Sequence, residues 1–115
     1  MTAADYEPDA LAFTRLNCLL NVGYEPASIL LDWRTPDLDE TFSCILAADL
    51  AYEQRSFQPL LTCFDQLLRP GGCILLGEPN RRIARPFFTT LRKSGWQLDA
   101  LHAANAVTCY RITRA

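Results

Sequence analysis

The 115-residue sequence has few of the side chains that carry hydrolytic or metal chemistry. His102 is its single histidine, and one histidine without a nearby nucleophile argues against a Ser-His-Asp type of catalytic site. The five cysteines include no Cys-x-x-Cys pair, and most of them lie within apolar runs. We therefore predict neither a metal site nor a disulfide framework, and interpret the cysteines as small core residues of a protein in a reducing compartment.

Charge and hydrophobicity argue against two further classes of protein. The formal net charge is −2, whereas a nucleic-acid-binding domain is usually basic, so we expect no nucleic-acid partner. No apolar run approaches the roughly 18 residues that a membrane-spanning helix needs. The first residues after Met1 lack the basic start and apolar core of a signal peptide. We expect a cytoplasmic protein that has no membrane partner.

The order of the apolar patterns predicts an α/β fold. Short apolar runs that suit strands alternate with segments of helical spacing, and the chain is long enough for one domain, residues 1–115. We predict a mostly parallel sheet flanked by helices, closed by an antiparallel C-terminal strand pair. Arg69-Pro70-Gly71-Gly72 predicts a turn. The predicted strands are 2–4, 28–31, 42–48, 73–77, 96–102 and 106–113. Three helices are predicted: the first runs from Pro8 to Gly23, the second begins near Ser56, and the third ends near Gly95.

Three acidic residues, Asp5, Asp32 and Asp49, follow the first three predicted strands. Because the carboxyl ends of parallel strands meet at one edge of a sheet, we expect these carboxylates along one rim. A row of carboxylates there accepts hydrogen bonds from ribose hydroxyls, from an adenine amino group or from a substrate amine. Tyr6 and Trp33 follow two of the acids and are placed to pack on an adenine ring. The alternative is that each acid caps its loop and each aromatic side chain is ordinary rim packing.

Six segments carry a resemblance to a known family, and together they cover nearly the whole chain. They resemble the class I, seven-strand S-adenosylmethionine-dependent methyltransferases. More narrowly, they are similar to the branch of protein lysine methyltransferases and nicotinamide N-methyltransferase-like relatives. The segments are DYEPDALAFTRLN at 5–17, LLDWRTPD at 30–37, ILAADLAYE at 45–53, LLRPGGCILL at 67–76, EPNRR at 78–82 and FFTTLRKSGW at 87–96.

The resemblance implies a Rossmann-like fold, S-adenosylmethionine as the cofactor, and a protein or small molecule as the methyl acceptor. It also implies roles for particular residues: an acid on the cofactor ribose, an Asp-Trp pair beside adenine, an acid-x-x-aromatic motif at the methyl-transfer site, and a loop at the substrate entrance. These residues are Asp5, Tyr6, Asp32, Trp33 and Ala47 for the cofactor, Asp49 and Tyr52 for catalysis, and Pro79, Asn80 and Arg81 for the substrate.

One motif of the family has no counterpart in this sequence. The family begins with a strand and a loop of the form acid-x-Gly-x-Gly, which cradles the methionine part of the cofactor, and none of the five glycines forms such an array. We therefore expect an N-terminally truncated domain that lacks the first strand and helix, binds cofactor weakly and is inactive as it stands. Exposed sheet edges would then favour self-association. The second hypothesis is a non-catalytic methyltransferase remnant that acts as an interaction module.

Overall fold

The computed structural model describes residues 2–32, 38–48, 57–80, 82 and 84–115. Within them, helices alternate with strands as the sequence predicts, which confirms the α/β class. Contacts divide the chain into two compact units, Met1–Asp37 and Leu38–Ala115. The elements are β1 Thr2–Asp5, α1 Pro8–Val22, β2 Ala27–Leu30, β3 Phe42–Ala48, α2 Phe57–Leu67, β4 Leu68–Glu78, α3 Ala84–Lys93, β5 Trp96–Ala104 and β6 Val107–Arg114.

The first unit consists of β1, α1 and β2. The two strands pair in parallel, with Asp5 directly opposite Leu30. Proline stands in the first turn of α1, where its missing N–H is not needed. The helix ends at Gly23, whose φ of 87° is left-handed and whose N–H donates to the Leu19 carbonyl at 3.1 Å. Glycine adopts this conformation at little cost, which confirms the predicted end of the helix.

Helix α1 leaves most of its large apolar side chains exposed. Leu16, Leu19 and Leu20 recur at helical spacing, and these side chains are 48%, 44% and 72% exposed. Leu11 is instead the buried residue of the helix. The physical reason is that apolar residues surround α1 on most of its circumference, so the spacing alone does not select one face.

The second unit contains a four-stranded sheet in the order β3-β4-β6-β5. Strands β3 and β4 are parallel, while β6 runs antiparallel to both β4 and β5. The antiparallel C-terminal pair is thus confirmed. The strands that we predicted for a mostly parallel sheet form two sheets among the described residues, β1-β2 and β3-β4-β6-β5.

The core of the second unit lies between α2, α3 and one face of this sheet. Phe57 of α2 contacts Phe87 of α3, with ring centroids 5.3 Å apart, and this contact joins the two helices. Phe88 of α3 contacts Tyr110 of β6, with centroids 4.8 Å apart, and joins the helix to the sheet. Each large apolar side chain buried in this way contributes about 1.5–3 kcal/mol. The buried apolar residues are Phe57, Leu60, Leu61, Cys63, Phe64, Leu67, Leu68, Ile74, Leu76, Ala84, Phe87, Leu91, Trp96 and Ile112.

The predicted Arg-Pro-Gly-Gly turn is a bulge inside β4 rather than a separate loop. Pairing passes from Phe42 opposite Leu68 to Cys44 opposite Cys73, so two residue steps along β3 correspond to five along β4. Gly72 is needed here, because a Cβ at this position would lie 2.7 Å from the Ser43 carbonyl oxygen. Of the helices in the described residues, none has the length and hydrophobicity to cross a bilayer.

Candidate functional site

The first unit brings two of the predicted acids to one edge. Asp5 ends β1 and is paired with Leu30, the last residue of β2, and Asp32 follows two residues later. The Leu31 N–H donates to the Asp5 carbonyl at 2.9 Å, which fixes the ends of the two strands side by side. Asp5 and Asp32 are half-buried, and Tyr6 is 49% exposed. The edge therefore presents two carboxylates and one accessible aromatic ring.

The Asp5 carboxylate also accepts a hydrogen bond within the loop that follows β1. Its Oδ1 accepts a hydrogen bond from the Glu7 N–H at 3.0 Å, just before α1 begins. This is the capping arrangement that the sequence offered as the alternative to cofactor binding. A carboxylate has two oxygens and several acceptor positions, so the capping bond uses only part of its capacity.

The corresponding edge of the second unit is formed by the ends of β3 and β4. Ala47 is half-buried opposite Leu76, and Ala48 is paired with Gly77. Pro79 follows β4 and is half-buried. The remaining predicted site residues lie outside the described residues. They are Trp33, Asp49, Tyr52 and Arg81.

Asn80 has a left-handed backbone, with φ of 61°, and both ends of its side-chain amide are bonded to the C-terminal hairpin. Its Nδ2 donates to the Ala106 carbonyl at 3.1 Å, and its Oδ1 accepts from the Thr108 hydroxyl at 2.9 Å. Asparagine tolerates this backbone conformation better than most residues. The amide thus holds the segment after β4 against β6.

Sequence reasoning missed Glu78, the last residue of β4. Its side chain is fully buried, and it is paired with Thr108 across the sheet. The predicted strand ends one residue earlier, at Gly77, although the residue before a proline favours an extended backbone and that signal is present at Glu78. Burying a carboxylate costs free energy unless it is hydrogen-bonded or paired with a charge, so Glu78 is a candidate functional residue at the end of β4. Among the described residues, no three His, Cys, Asp or Glu side chains are grouped to hold a metal ion.

Comparison with known proteins gives a family and a set of structures. A family model described as lysine methyltransferase matches residues 5–94, which is most of the chain. Among curated proteins, none matches this chain in sequence.

Several methyltransferase structures share the fold at low sequence identity. A ribosomal protein L11 methylase from Lactobacillus delbrueckii subsp. bulgaricus is 21% identical with a TM-score of 0.78, and the alignment covers 98% of this chain and 56% of that one. The N-methyltransferase NodS from Bradyrhizobium japonicum, in complex with S-adenosylhomocysteine, is 16% identical with a TM-score of 0.69. Its alignment covers 98% of this chain and 65% of that one. Magnesium protoporphyrin IX methyltransferase from Synechocystis, with bound S-adenosylmethionine, is 11% identical with a TM-score of 0.71. Its alignment covers 99% of this chain and 59% of that one. This chain therefore spans between about half and two thirds of their length.

Proposed function

Because the chain belongs to the lysine methyltransferase family, we propose that it takes part in S-adenosylmethionine-dependent methylation of an amine, either a protein lysine or a small molecule. The observation that carries the proposal is the pairing of the two strand ends in the first unit, which sets Asp5 and Asp32 at the same edge within the matched segment. Ligands of open α/β folds bind outside the carboxyl ends of parallel strands.

The proposed cofactor contacts follow from the chemistry of this edge. Carboxylates of Asp5 and Asp32 are acceptors that suit the ribose hydroxyls and the adenine amino group. The exposed ring of Tyr6, with Trp33 after Asp32 in the sequence, supplies aromatic surface for a purine. Ala47, at the end of β3, has a small side chain that leaves room for a ligand.

The proposed methyl transfer requires positioning rather than a metal or a covalent intermediate. When bound, S-adenosylmethionine would supply its methyl group to the amine, with S-adenosylhomocysteine as the leaving group and a proton released from the amine. We assign Asp49 to orient the amine and Tyr52 to form an apolar wall that keeps the amine neutral. At the acceptor entrance, Pro79 and Arg81 border the substrate. Asn80 positions their loop, since its amide is bonded to Ala106 and Thr108.

A second candidate is a non-catalytic interaction module. It is favoured by the lack of an acid-x-Gly-x-Gly array in the sequence and by the outer edge of β3, which has no strand partner among the described residues. The segment from Cys44 to Ala48 is uncharged, and Leu46 is 70% exposed. Such an edge favours pairing with another chain, so we propose self-association along β3. We propose a cytoplasmic location, which the five free cysteines support.

Titration with S-adenosylhomocysteine into the millimolar range distinguishes the two candidates. A methyltransferase site predicts saturable binding that Asp32→Asn weakens about tenfold, because a hydrogen bond to a charged group is lost. Asp9→Asn is the matched control, since Asp9 is an exposed aspartate in the first turn of α1. Equal loss in both variants, or no binding by the unsubstituted chain, would favour the interaction module.

A further inference from the structure

Cys44 on β3 and Cys73 on β4 are directly paired residues of neighbouring parallel strands. Paired residues of adjacent strands point to the same face of the sheet, and the strands lie about 4.7–4.9 Å apart. Gly72 permits the close approach at this point, because any larger residue would collide with the Ser43 carbonyl. The two thiols therefore occupy adjacent places, although they are 29 positions apart in the sequence.

The pair lies on the face of the sheet away from the α2–α3 core. Along β4, Ile74 and Leu76 are fully buried toward the helices, and the alternate residue Cys73 faces the other side. Cys44 is exposed and Cys73 is half-buried, so the prediction that the cysteines are core residues is wrong for Cys44. Cys63 is the contrasting case, because burial in α2 raises its pKa to about 11.

Because the two strands are paired at these residues, the Cys73 side chain lies beside that of Cys44. Partial desolvation and the neighbouring Cys73 thiol raise the pKa of Cys44 above its usual value, so the group is a thiol rather than a thiolate at neutral pH. An ion that binds here must displace protons, and soft metal ions do so because thiolate is their preferred ligand.

The number of available ligands restricts the kind of ion. Structural zinc sites need four ligands, and the part of the chain that the structure describes holds no cluster of three His, Cys, Asp or Glu side chains. Two thiolates alone suit a soft monovalent ion that accepts two-coordinate geometry. Thiolate ligands favour Cu(I), zinc and iron–sulfur clusters, and of these Cu(I) is the monovalent ion.

We propose that Cys44 and Cys73 form a two-thiolate binding site for a soft monovalent metal ion of the Cu(I) class. Binding replaces the two sulfur–hydrogen bonds with two metal–sulfur bonds and releases two protons, with no change in the oxidation state of metal or sulfur. The bound ion links β3 to β4 four residues before Ala48, the last residue of β3.

The test is anaerobic titration of the full chain with Cu(I) in competition with a chromophoric chelator. We expect one tightly held ion per chain. Cys44→Ser and Cys73→Ser should each weaken binding at least about 100-fold, because losing even an outer partner of a metal site costs 10–100-fold. The double variant should lose little more than either single one. Cys18→Ser is the control, since Cys18 is a half-buried cysteine on α1, and it should bind as the unsubstituted chain does.

A second measurement needs no substitution, so it holds even if a variant fails to fold. One equivalent of Cu(I) should protect Cys44 and Cys73 from alkylation together, as peptide mass spectrometry would report, and leave Cys18 reactive. The proposal is overturned if protection is spread over all accessible cysteines, if only one of the two thiols is protected, or if Cys18→Ser weakens binding as much as Cys44→Ser.

Discussion

The Thr108 hydroxyl donates a hydrogen bond to Oδ1 of Asn80 at 2.9 Å, and this contact joins the segment after β4 to the strand β6. Thr108 is also the partner of the buried Glu78 across the sheet. The end of β4, where the substrate loop is proposed, is thus held by residues that lie about 30 positions later in the chain.

Replacement of Thr108 tests the contribution of that contact. Thr108→Val keeps the shape of the side chain and removes the donor, so we expect the free energy of unfolding to fall by about 0.5–1.5 kcal/mol in urea titrations. Thr113→Val is the control on the same strand, since its hydroxyl has no hydrogen-bond partner among the described residues. A loss as large for Thr113→Val would mean that valine disturbs β6 in general.

The order of helices and strands could be predicted because hydrophobic spacing and turn residues report local structure. Gly23 ended α1 as expected, since its left-handed backbone is a local property. The inward face of α1 could not be predicted, because apolar residues surround the helix and the buried face is the one that packs against a sheet. The Pro-Gly-Gly bulge depends on the approach of Ser43 from another strand, and sequence spacing does not contain that information.

The candidate site was likewise predictable only where it depends on local sequence patterns. Parallel pairing of β1 and β2 follows from the α/β pattern, so the common edge of Asp5 and Asp32 was predictable. The burial of Glu78 and the bonds of Asn80 depend on the C-terminal hairpin, which returns to β4 from a distant part of the sequence. The adjacency of Cys44 and Cys73 required the register of two strands, which apolar runs without alternation leave open.

The outer edge of β3 predicts a specific effect on association. A lysine on an edge strand discourages pairing with another chain, so Leu46→Lys should shift the protein toward the monomer in size-exclusion chromatography with light scattering. Leu101→Lys is the matched control, because Leu101 is 54% exposed on β5, the opposite edge of the same sheet. If the unsubstituted chain is strictly monomeric, or if both variants dissociate it equally, association along β3 is wrong.

Cys63 predicts a pH dependence of stability. Burial raises its pKa from 9.0 to about 11 in the folded chain, so the folded state binds its proton more tightly than the unfolded state does. The resulting contribution to the free energy of unfolding is fully present below about pH 9 and is lost as pH rises toward pH 11. Urea titrations at a series of pH values should show that the free energy of unfolding falls more steeply with pH for the unsubstituted chain than for Cys63→Ala. Cys18→Ala should keep the steep decline, and parallel curves for all three proteins would contradict the assignment.

The central claim is that the edge formed by the ends of β1 and β2 binds the methyl-donor cofactor, and an NMR titration of the isotope-labelled chain with S-adenosylhomocysteine tests it most directly. We predict saturable shifts of the backbone amides of Tyr6, Glu7 and Asp32, with the amides of the β5–β6 hairpin unchanged. Because the acid-x-Gly-x-Gly array is lacking, we expect a dissociation constant weaker than about 10 μM, or roughly −7 kcal/mol. Unchanged amides at these three residues at millimolar ligand, or shifts confined to the hairpin, would contradict the claim.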